Sequence, residues 1–194
     1  LNIIYKRKEE LSDYFNFLLP DNNALLCGLD KLHLYETLKK RKDYLKLLPL
    51  TFEFCRKNEE ELFSESESNK IFGKNLWVLK PRSSSGSLGI KYLSKKNKTK
   101  LISSMNNHSN YLIQEFIKGE IKSTCVTIFM ESSEKAAAFL CHERIYEYPL
   151  TGGPSTQRKT VFNKYLIKKS IEILKFLNWK GLASLEWKYC MTKK

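Results

Sequence analysis

The chain has 194 residues, of which 42% are hydrophobic and 12% aromatic, and it carries a formal net charge of +13. This length and apolar content support a packed core and argue against disorder, and no apolar run reaches the ~20 residues of a membrane helix. The positive charge favours an anionic partner, namely a phosphate-bearing ligand, a nucleic acid or a membrane surface.

The cysteines and histidines give no sign of a metal centre. The five cysteines lie far apart without a Cys-x-x-Cys pair, and the three histidines are scattered. This spacing argues against zinc and against a disulfide framework, and it predicts reduced thiols in a cytoplasmic protein. The N-terminus lacks the apolar segment of a signal peptide and begins as if cut from a longer chain.

The first half of the chain is predicted to mix helices and short strands. Residues 1–29 have a Pro-Asp-Asn-Asn turn and little periodicity, and we interpret them as the remnant of a preceding α/β domain. Asp30 is placed to cap a helix that runs to about Lys42. A short strand follows within LLPLTFEF, strands are predicted at 76–80 and 88–93, and a helix is predicted near 99–107.

The second half is predicted to contain a hairpin, a loop and one further helix. A buried strand covers 111–117, and strands 122–130 and 136–146 pair across a polar turn. An irregular loop at 148–156 precedes a helix at 162–177 and a last strand at 182–190. The fold class is therefore α+β, with two lobes at 30–110 and 111–194 that each combine an antiparallel sheet with helices.

The segment LWVLKPRSSSGSLGI, residues 76–90, is the most informative part of the chain. An apolar strand ends in Lys80, and a turn of serines and glycine follows. Small side chains let backbone N–H groups approach phosphate oxygens, and an ammonium group neutralises their charge. The Walker pattern is absent. Taken alone, the segment is more typical of an ordinary Ser-rich hairpin.

Five segments occur in the order of motifs found in the ATP-grasp superfamily. They are DKLHLYETLKK, LWVLKPRSSSGSLG, LIQEFIKGE, HERIYEYPLTGGPST and GLASLEWKY, which span residues 30–190. In particular, the chain resembles the carboxylate–amine ligases and the carbamoyl-phosphate-synthase-like members. The resemblance implies two lobes that clamp a nucleotide between them, with ATP and Mg²⁺ as cofactors.

The resemblance also implies a set of nucleotide-binding residues. Lys31 and Lys80 would approach the phosphates, with Lys80 also catalytic, and Glu120 would bind the ribose. A lid over the phosphates would be formed by Ser84, Ser85, Gly86 and Ser87. The segment around adenine would comprise Gln114, Glu115, Phe116 and Ile117. The alternatives are that both lysines lie on the surface and that 114–117 is only a core strand.

In the second lobe, the resemblance assigns a substrate-binding and a metal-binding group. Arg144 would bind the acyl-phosphate or the carboxylate substrate as a catalytic residue, and Gly152, Gly153 and Ser155 would shape the substrate pocket. The alternative role of Arg144 is a cross-strand salt bridge with a glutamate. Glu186 would be a Mg²⁺ ligand, or else the outward face of an edge strand. His142 and Glu143 are further candidates for the same cleft.

The implied reaction joins a small-molecule carboxylate to an amine through an acyl-phosphate, with no membrane involved. A second metal-binding strand, Glu-x-Asn, is expected after Thr192, so the chain is predicted to be a C-terminally incomplete fragment. The alternatives are an inactive ATP-grasp scaffold and a basic nucleic-acid-binding module. The last is disfavoured because the aromatic residues lie within apolar elements and do not alternate with lysines. The sequence predicts no oligomeric state.

Overall fold

The computed structural model describes residues 2–15, 17–54, 76–94, 97, 110–117, 123–148 and 153–188. The helices within these ranges are α1 (Asn2–Lys6), α2 (Lys8–Ser12), α3 (Asn22–Leu29), α4 (Lys31–Leu38), α5 (Lys42–Leu45) and α6 (Lys164–Phe176). The strands are β1 (Thr51–Phe54), β2 (Trp77–Pro81), β3 (Lys91–Leu93), β4 (Tyr111–Glu115), β5 (Ser123–Met130), β6 (Ala136–Glu147), β7 (Ser155–Thr160) and β8 (Gly181–Lys188). The α+β class is confirmed.

The chain forms two compact units, and the first comprises Asp30–Ile117. Its antiparallel sheet has the order β1-β4-β2-β3. The apolar runs of β2 and β4 lie in the middle of this sheet, which explains why their residues are buried on both faces. The core side chains are Phe54, Trp77, Leu79, Leu93 and Ile113.

Helix α4 begins where the sequence predicts and ends earlier. The carboxylate of Asp30 accepts hydrogen bonds from the N–H groups of Leu32 and His33, as expected of an N-cap. The helix stops at Leu38, because the chain turns there and the N–H of Arg41 bonds to the carbonyl of Leu38 at 3.1 Å. The predicted end near Lys42 is therefore wrong, and α5 begins at that residue instead.

The second unit consists of residues 1–29 together with 118–194. Its antiparallel sheet has the order β7-β6-β5-β8. Helix α6 covers one face, capped by the side chain of Asn163, and buries Ile167 and Leu174 as its 3.6-residue periodicity predicts. Ala24 and Leu25 of α3 join the same core.

The structure differs from the predicted domain boundaries in two ways. Strand β4 pairs with β1 and β2, so the first unit extends to Ile117, beyond the predicted end at 110. Residues 1–29 pack with the second unit rather than standing as a separate remnant. Gly181 illustrates this packing, since a Cβ there would lie 2.3 Å from the carbonyl oxygen of Leu18.

Strand β7 was not predicted, because part of it falls within the predicted loop at 148–156. Its sequence, STQRKT, has no apolar alternation, since the strand lies at the sheet edge and most of its side chains are exposed. The helix predicted near 99–107 lies outside the described residues. No helix in the described part of the chain is long and apolar enough to cross a bilayer.

Candidate functional site

The turn between β2 and β3 has an unusual backbone. Gly86, Ser87 and Gly89 adopt left-handed conformations, with φ values of 62°, 60° and 76°. A Cβ at Gly89 would lie 2.8 Å from Cγ of Pro81, so this position requires glycine on two grounds. The N–H of Leu88 donates to the carbonyl of Ser85 at 3.3 Å and that of Ile90 to the carbonyl of Ser87 at 3.4 Å, so the three residues lie in two successive β-turns. The contact of this loop with phosphate stays a prediction.

Lys80 lies at the end of β2 and is held by the neighbouring strand. Its Nζ donates to Oε1 of Gln114 at 2.7 Å. The amide nitrogen of Gln114 donates in turn to the hydroxyl of Thr51 at 3.0 Å, which fixes the orientation of the amide. The structure thus brings together two of the predicted nucleotide-binding residues, Lys80 and Gln114, next to the loop.

Lys31 contacts the base of the same loop through its backbone. Its Nζ donates to the carbonyl oxygen of Ser84 at 2.6 Å and to those of Pro81 and Arg82 at 3.3 Å each. Burial lowers the pKa of Lys31, and the charge of Asp30 opposes this effect. Its three N–H donors have carbonyl partners, so Lys31 holds the loop in position, and a direct contact with phosphate stays a prediction.

Arg82 is a residue of this site that sequence reasoning missed. Its Nε donates to Oδ2 of Asp30 at 3.0 Å, and its backbone N–H donates to the carbonyl of Asn110 at 2.8 Å. Burial acts to raise the pKa of Asp30, but hydrogen bonds from Arg82 and from backbone N–H groups outweigh it, and the pKa is lowered. Asp30 therefore joins the start of α4 to the loop. The only signal in the sequence was an arginine directly after Lys-Pro.

The segment 114–117 continues from β4 past its last paired residue. The N–H of Glu115 donates to the carbonyl of Leu50 at 2.8 Å, and that of Phe116 donates to the carbonyl of Leu76 at 2.9 Å. These two N–H groups therefore donate within the unit and are not available to bind adenine. The Phe116 ring contacts Tyr92 edge-on at 5.7 Å. The predicted adenine contact stays a prediction.

In the second unit, Arg144 contacts two other predicted site residues, Glu186 and Gly153, and also Glu147. Its Nη2 lies 3.4 Å from Oε1 of Glu186, and its Nη1 donates to the carbonyl of Gly153 at 3.4 Å. Nη1 also lies 3.7 Å from Oε2 of Glu147. The alternative interpretation, a salt bridge with a glutamate across the sheet, is therefore observed, and it brings the predicted substrate and metal residues together.

Ser155 closes the turn between β6 and β7. Its hydroxyl donates to the carbonyl oxygens of Gln157 at 2.9 Å and Tyr146 at 3.3 Å. These bonds keep Gly153 near Arg144, so in this structure Ser155 shapes the backbone of the turn. Its predicted contact with substrate stays a prediction. Glu120 and Gly152 lie outside the described residues, as does the position after Thr192.

The described residues do not by themselves make a magnesium site. Glu186 lies on the exposed face of the edge strand β8, with its side chain 47% exposed and paired with Arg144. Among the residues that the structure describes, no group of three or more His, Cys, Asp or Glu side chains could hold a metal ion. Mg²⁺ needs about six oxygen ligands in nearly octahedral geometry. The assignment of Glu186 as a metal ligand stays a prediction.

Comparison with known proteins identifies the family. A family model described as an ATP-grasp domain matches residues 29–184, which is most of the chain. The chain therefore belongs to the ATP-grasp family. None of the curated proteins compared with the chain matches it.

Solved structures share the fold at low sequence identity. D-alanine–D-alanine ligase from Bacillus anthracis is 18% identical, with a TM-score of 0.64, and the match covers 95% of this chain and 60% of that chain. The corresponding ligase from Coxiella burnetii is 12% identical, with a TM-score of 0.69 and coverages of 98% and 52%. N5-carboxyaminoimidazole synthase from Aspergillus clavatus is 13% identical, with a TM-score of 0.64 and coverages of 98% and 48%. The chain thus spans about half to three fifths of the length of these structures.

Proposed function

We propose that this chain is part of an ATP-dependent ligase that joins a small-molecule carboxylate to an amine. The observation that carries the proposal is the loop after Lys80, where three left-handed residues follow a lysine held by a neutral amide. Membership of the ATP-grasp family supports it. Similar structures support it as well, since the Bacillus anthracis ligase was solved with ATP and the Aspergillus clavatus synthase with ADP.

The proposed chemistry has two steps. A carboxylate oxygen of the substrate attacks the γ-phosphorus of ATP, which gives an acyl-phosphate and ADP. The amine nitrogen then attacks the acyl carbon, inorganic phosphate leaves, and the amine loses a proton. The protein contributes positioning and charge stabilisation. Lys80 and the loop backbone would stabilise the transferred phosphoryl group, and Arg144 would orient the carboxylate.

The remaining assignments stay predictions that rest on the family resemblance. They include Mg²⁺ as a cofactor, the carbamoyl-phosphate-synthase-like branch, the contribution of both units to one nucleotide site, and a cytoplasmic location. Within the described residues, no disulfide joins Cys27, Cys125 or Cys141. We derive no step of the reaction through a metal ion, because the described residues do not form its site.

Thermal unfolding of the full-length protein with ADP or ATP and Mg²⁺ tests the proposal. A ligand that binds only the folded state raises the unfolding midpoint. We expect nucleotide to raise it for the wild type and not for Lys80→Ala, while Lys46→Ala, at an exposed position of the same unit, behaves as the wild type does. A wild type that nucleotide leaves unchanged would contradict the proposal. Nucleotide binding without any amine-dependent ADP release would favour the inactive scaffold.

A further inference from the structure

Two arginines stand directly opposite each other on neighbouring strands of the second sheet. Arg144 of β6 is the register partner of Arg158 of β7. Side chains of directly opposed residues in an antiparallel pair point to the same face, about 5 Å apart at Cβ, and like charges there are destabilising. A pair of this kind calls for an anion or for carboxylates close by.

Within the described residues, carboxylates lie close to only one of these two arginines. Glu147 and Glu186 lie within 3.7 Å of Arg144. Arg158 is exposed, and no carboxylate of the described residues lies within 4 Å of its guanidinium group. On the opposite face of the sheet, by contrast, Lys159 is the register partner of Glu143, so opposite charges face each other.

A buried histidine on the same face lacks a hydrogen-bond partner. His142 precedes Arg144 by two residues, so its side chain points to the same side of β6. It is 7% exposed, and its Nδ1 has no hydrogen-bond partner among the described residues. Burial lowers the pKa of His142, and the charges of Arg158 and Arg144 lower it further. Buried polar atoms without partners are rare and commonly mark a ligand or water position.

We propose that Arg158, together with Arg144, forms an anion-binding site on the exposed face of the second sheet, above the buried His142. The group bound there has at least two oxyanion atoms, as in a phosphate or a carboxylate. A guanidinium fork binds two oxygens of such a group in one plane. The identification of this anion as a substrate group rests on the proposed ligase function, in which the resemblance assigns only Arg144.

Binding of small anions to the full-length protein without nucleotide tests the site. The probes are inorganic phosphate, phosphonoacetate and acetate, measured by calorimetry for the wild type, Arg158→Gln and Lys159→Gln. We expect Arg158→Gln to weaken phosphate or phosphonoacetate binding by about tenfold, the effect of one charge-assisted contact. Lys159→Gln removes the same charge on the opposite face and should change binding by less than about twofold. Arg158→Lys keeps the charge but lacks the guanidinium fork, so its anion affinity should lie between those of Arg158→Gln and Lys159→Gln.

The unliganded variant gives a second readout. Removing one of two opposed like charges relieves repulsion, so Arg158→Gln should unfold at the same temperature as the wild type or higher. If Arg158 had only a structural role, Arg158→Gln would lower the unfolding temperature.

The outcomes separate the sources of the anion and overturn the inference where it fails. If Arg158→Gln loses phosphate binding, the site is assigned to a phosphoryl group. If Arg158→Gln loses only phosphonoacetate binding, the site is assigned to a substrate with a second anionic group. The inference is overturned if the wild type binds none of the probes, or if Arg158→Gln and Lys159→Gln behave alike. ADP-induced stabilisation is measured on the same samples. If it persists while anion binding shows no dependence on Arg158, this inference falls and the proposed function stands.

Discussion

The predicted site lysines of the first unit and the predicted site arginine of the second contact different kinds of oxygen. In the first unit, Lys80 donates to an amide oxygen and Lys31 to three backbone carbonyls. In the second, Arg144 faces the carboxylates of Glu147 and Glu186. Carboxylates partly neutralise the charge of a cation, and a substrate anion has to compete with them.

This difference suggests different tasks for the two units. We expect a polyphosphate to bind beside the lysines of the first unit, as the family resemblance implies. A carboxylate substrate that binds Arg144 must compete with glutamates, which makes the arginine selective for groups with good bidentate geometry. The comparison predicts that substitutions in the first unit change nucleotide affinity, and that those in the second change ligation.

The largest expected effect comes from Arg144→Ala. We expect the ligation rate to fall by at least about 100-fold, because a preorganised charge that stabilises the reacting group is lost. The stabilisation by ADP should be unchanged, because the residues predicted to bind the nucleotide phosphates, Lys31, Lys80 and 84–87, all lie in the first unit. Steady-state kinetics and thermal unfolding of the same preparation check this, with Lys159→Ala as the control. Equal losses of ATP affinity and ligation would break the comparison.

The next effect distinguishes two glycines of the loop after Lys80, which is predicted to bind phosphate. Gly89→Ala places a Cβ 2.8 Å from the Pro81 ring, and Gly86→Ala meets no atom within 4 Å, while both positions have positive φ. The left-handed backbone alone costs about 1–2 kcal/mol for a residue with a Cβ, and the contact adds to this only at Gly89. Urea denaturation should therefore show a greater loss of stability for Gly89→Ala. Equal losses would mean that the ring of Pro81 moves away at no cost.

Substitutions of Asp30 separate its two roles beside the loop. Through its one amide oxygen Asn can still accept hydrogen bonds from the N–H groups at the start of α4, so Asp30→Asn keeps the cap. It removes the charge and the Oδ2 acceptor that Arg82 faces, which costs about 1–3 kcal/mol. Asp30→Ala also removes the helix cap, which adds about 1 kcal/mol. Denaturant unfolding measures the difference. If the two variants are equally unstable, the cap contributes nothing.

The smallest expected effect is a pH dependence in the second unit. The pKa of His142 is lowered in the folded protein by burial and by the charges of Arg158 and Arg144, whereas in the unfolded chain it is about 6.5. The unfolded chain therefore binds the proton first as the pH falls. The contribution of neutral His142 to the free energy of unfolding is fully present above about pH 6.5 and is lost as the pH drops through the lowered pKa. His142→Asn should lack this loss, and a parallel decline in both proteins would assign it to other groups.

Much of the fold could be predicted because local patterns agree with the tertiary structure. The apolar runs of β2 and β4, the cap at Asp30 and the periodicity of α6 lie near the predicted positions. Strand β7 could not be predicted, because an exposed edge strand needs no apolar alternation. The boundary at 110 failed for a similar reason, since the sequence does not reveal which sheet a buried strand joins.

The sequence by itself determined the order of the motifs, the lysine at the end of an apolar strand and the small residues that follow it. These are properties of neighbouring residues, so they can be read along the chain. Only the tertiary structure decided that Arg82 anchors the loop to Asp30, that Lys31 binds the loop's carbonyls, and that Arg158 stands opposite Arg144. Such contacts join residues 14 to 53 positions apart, and strand register and packing, not sequence spacing, determine which side chains meet.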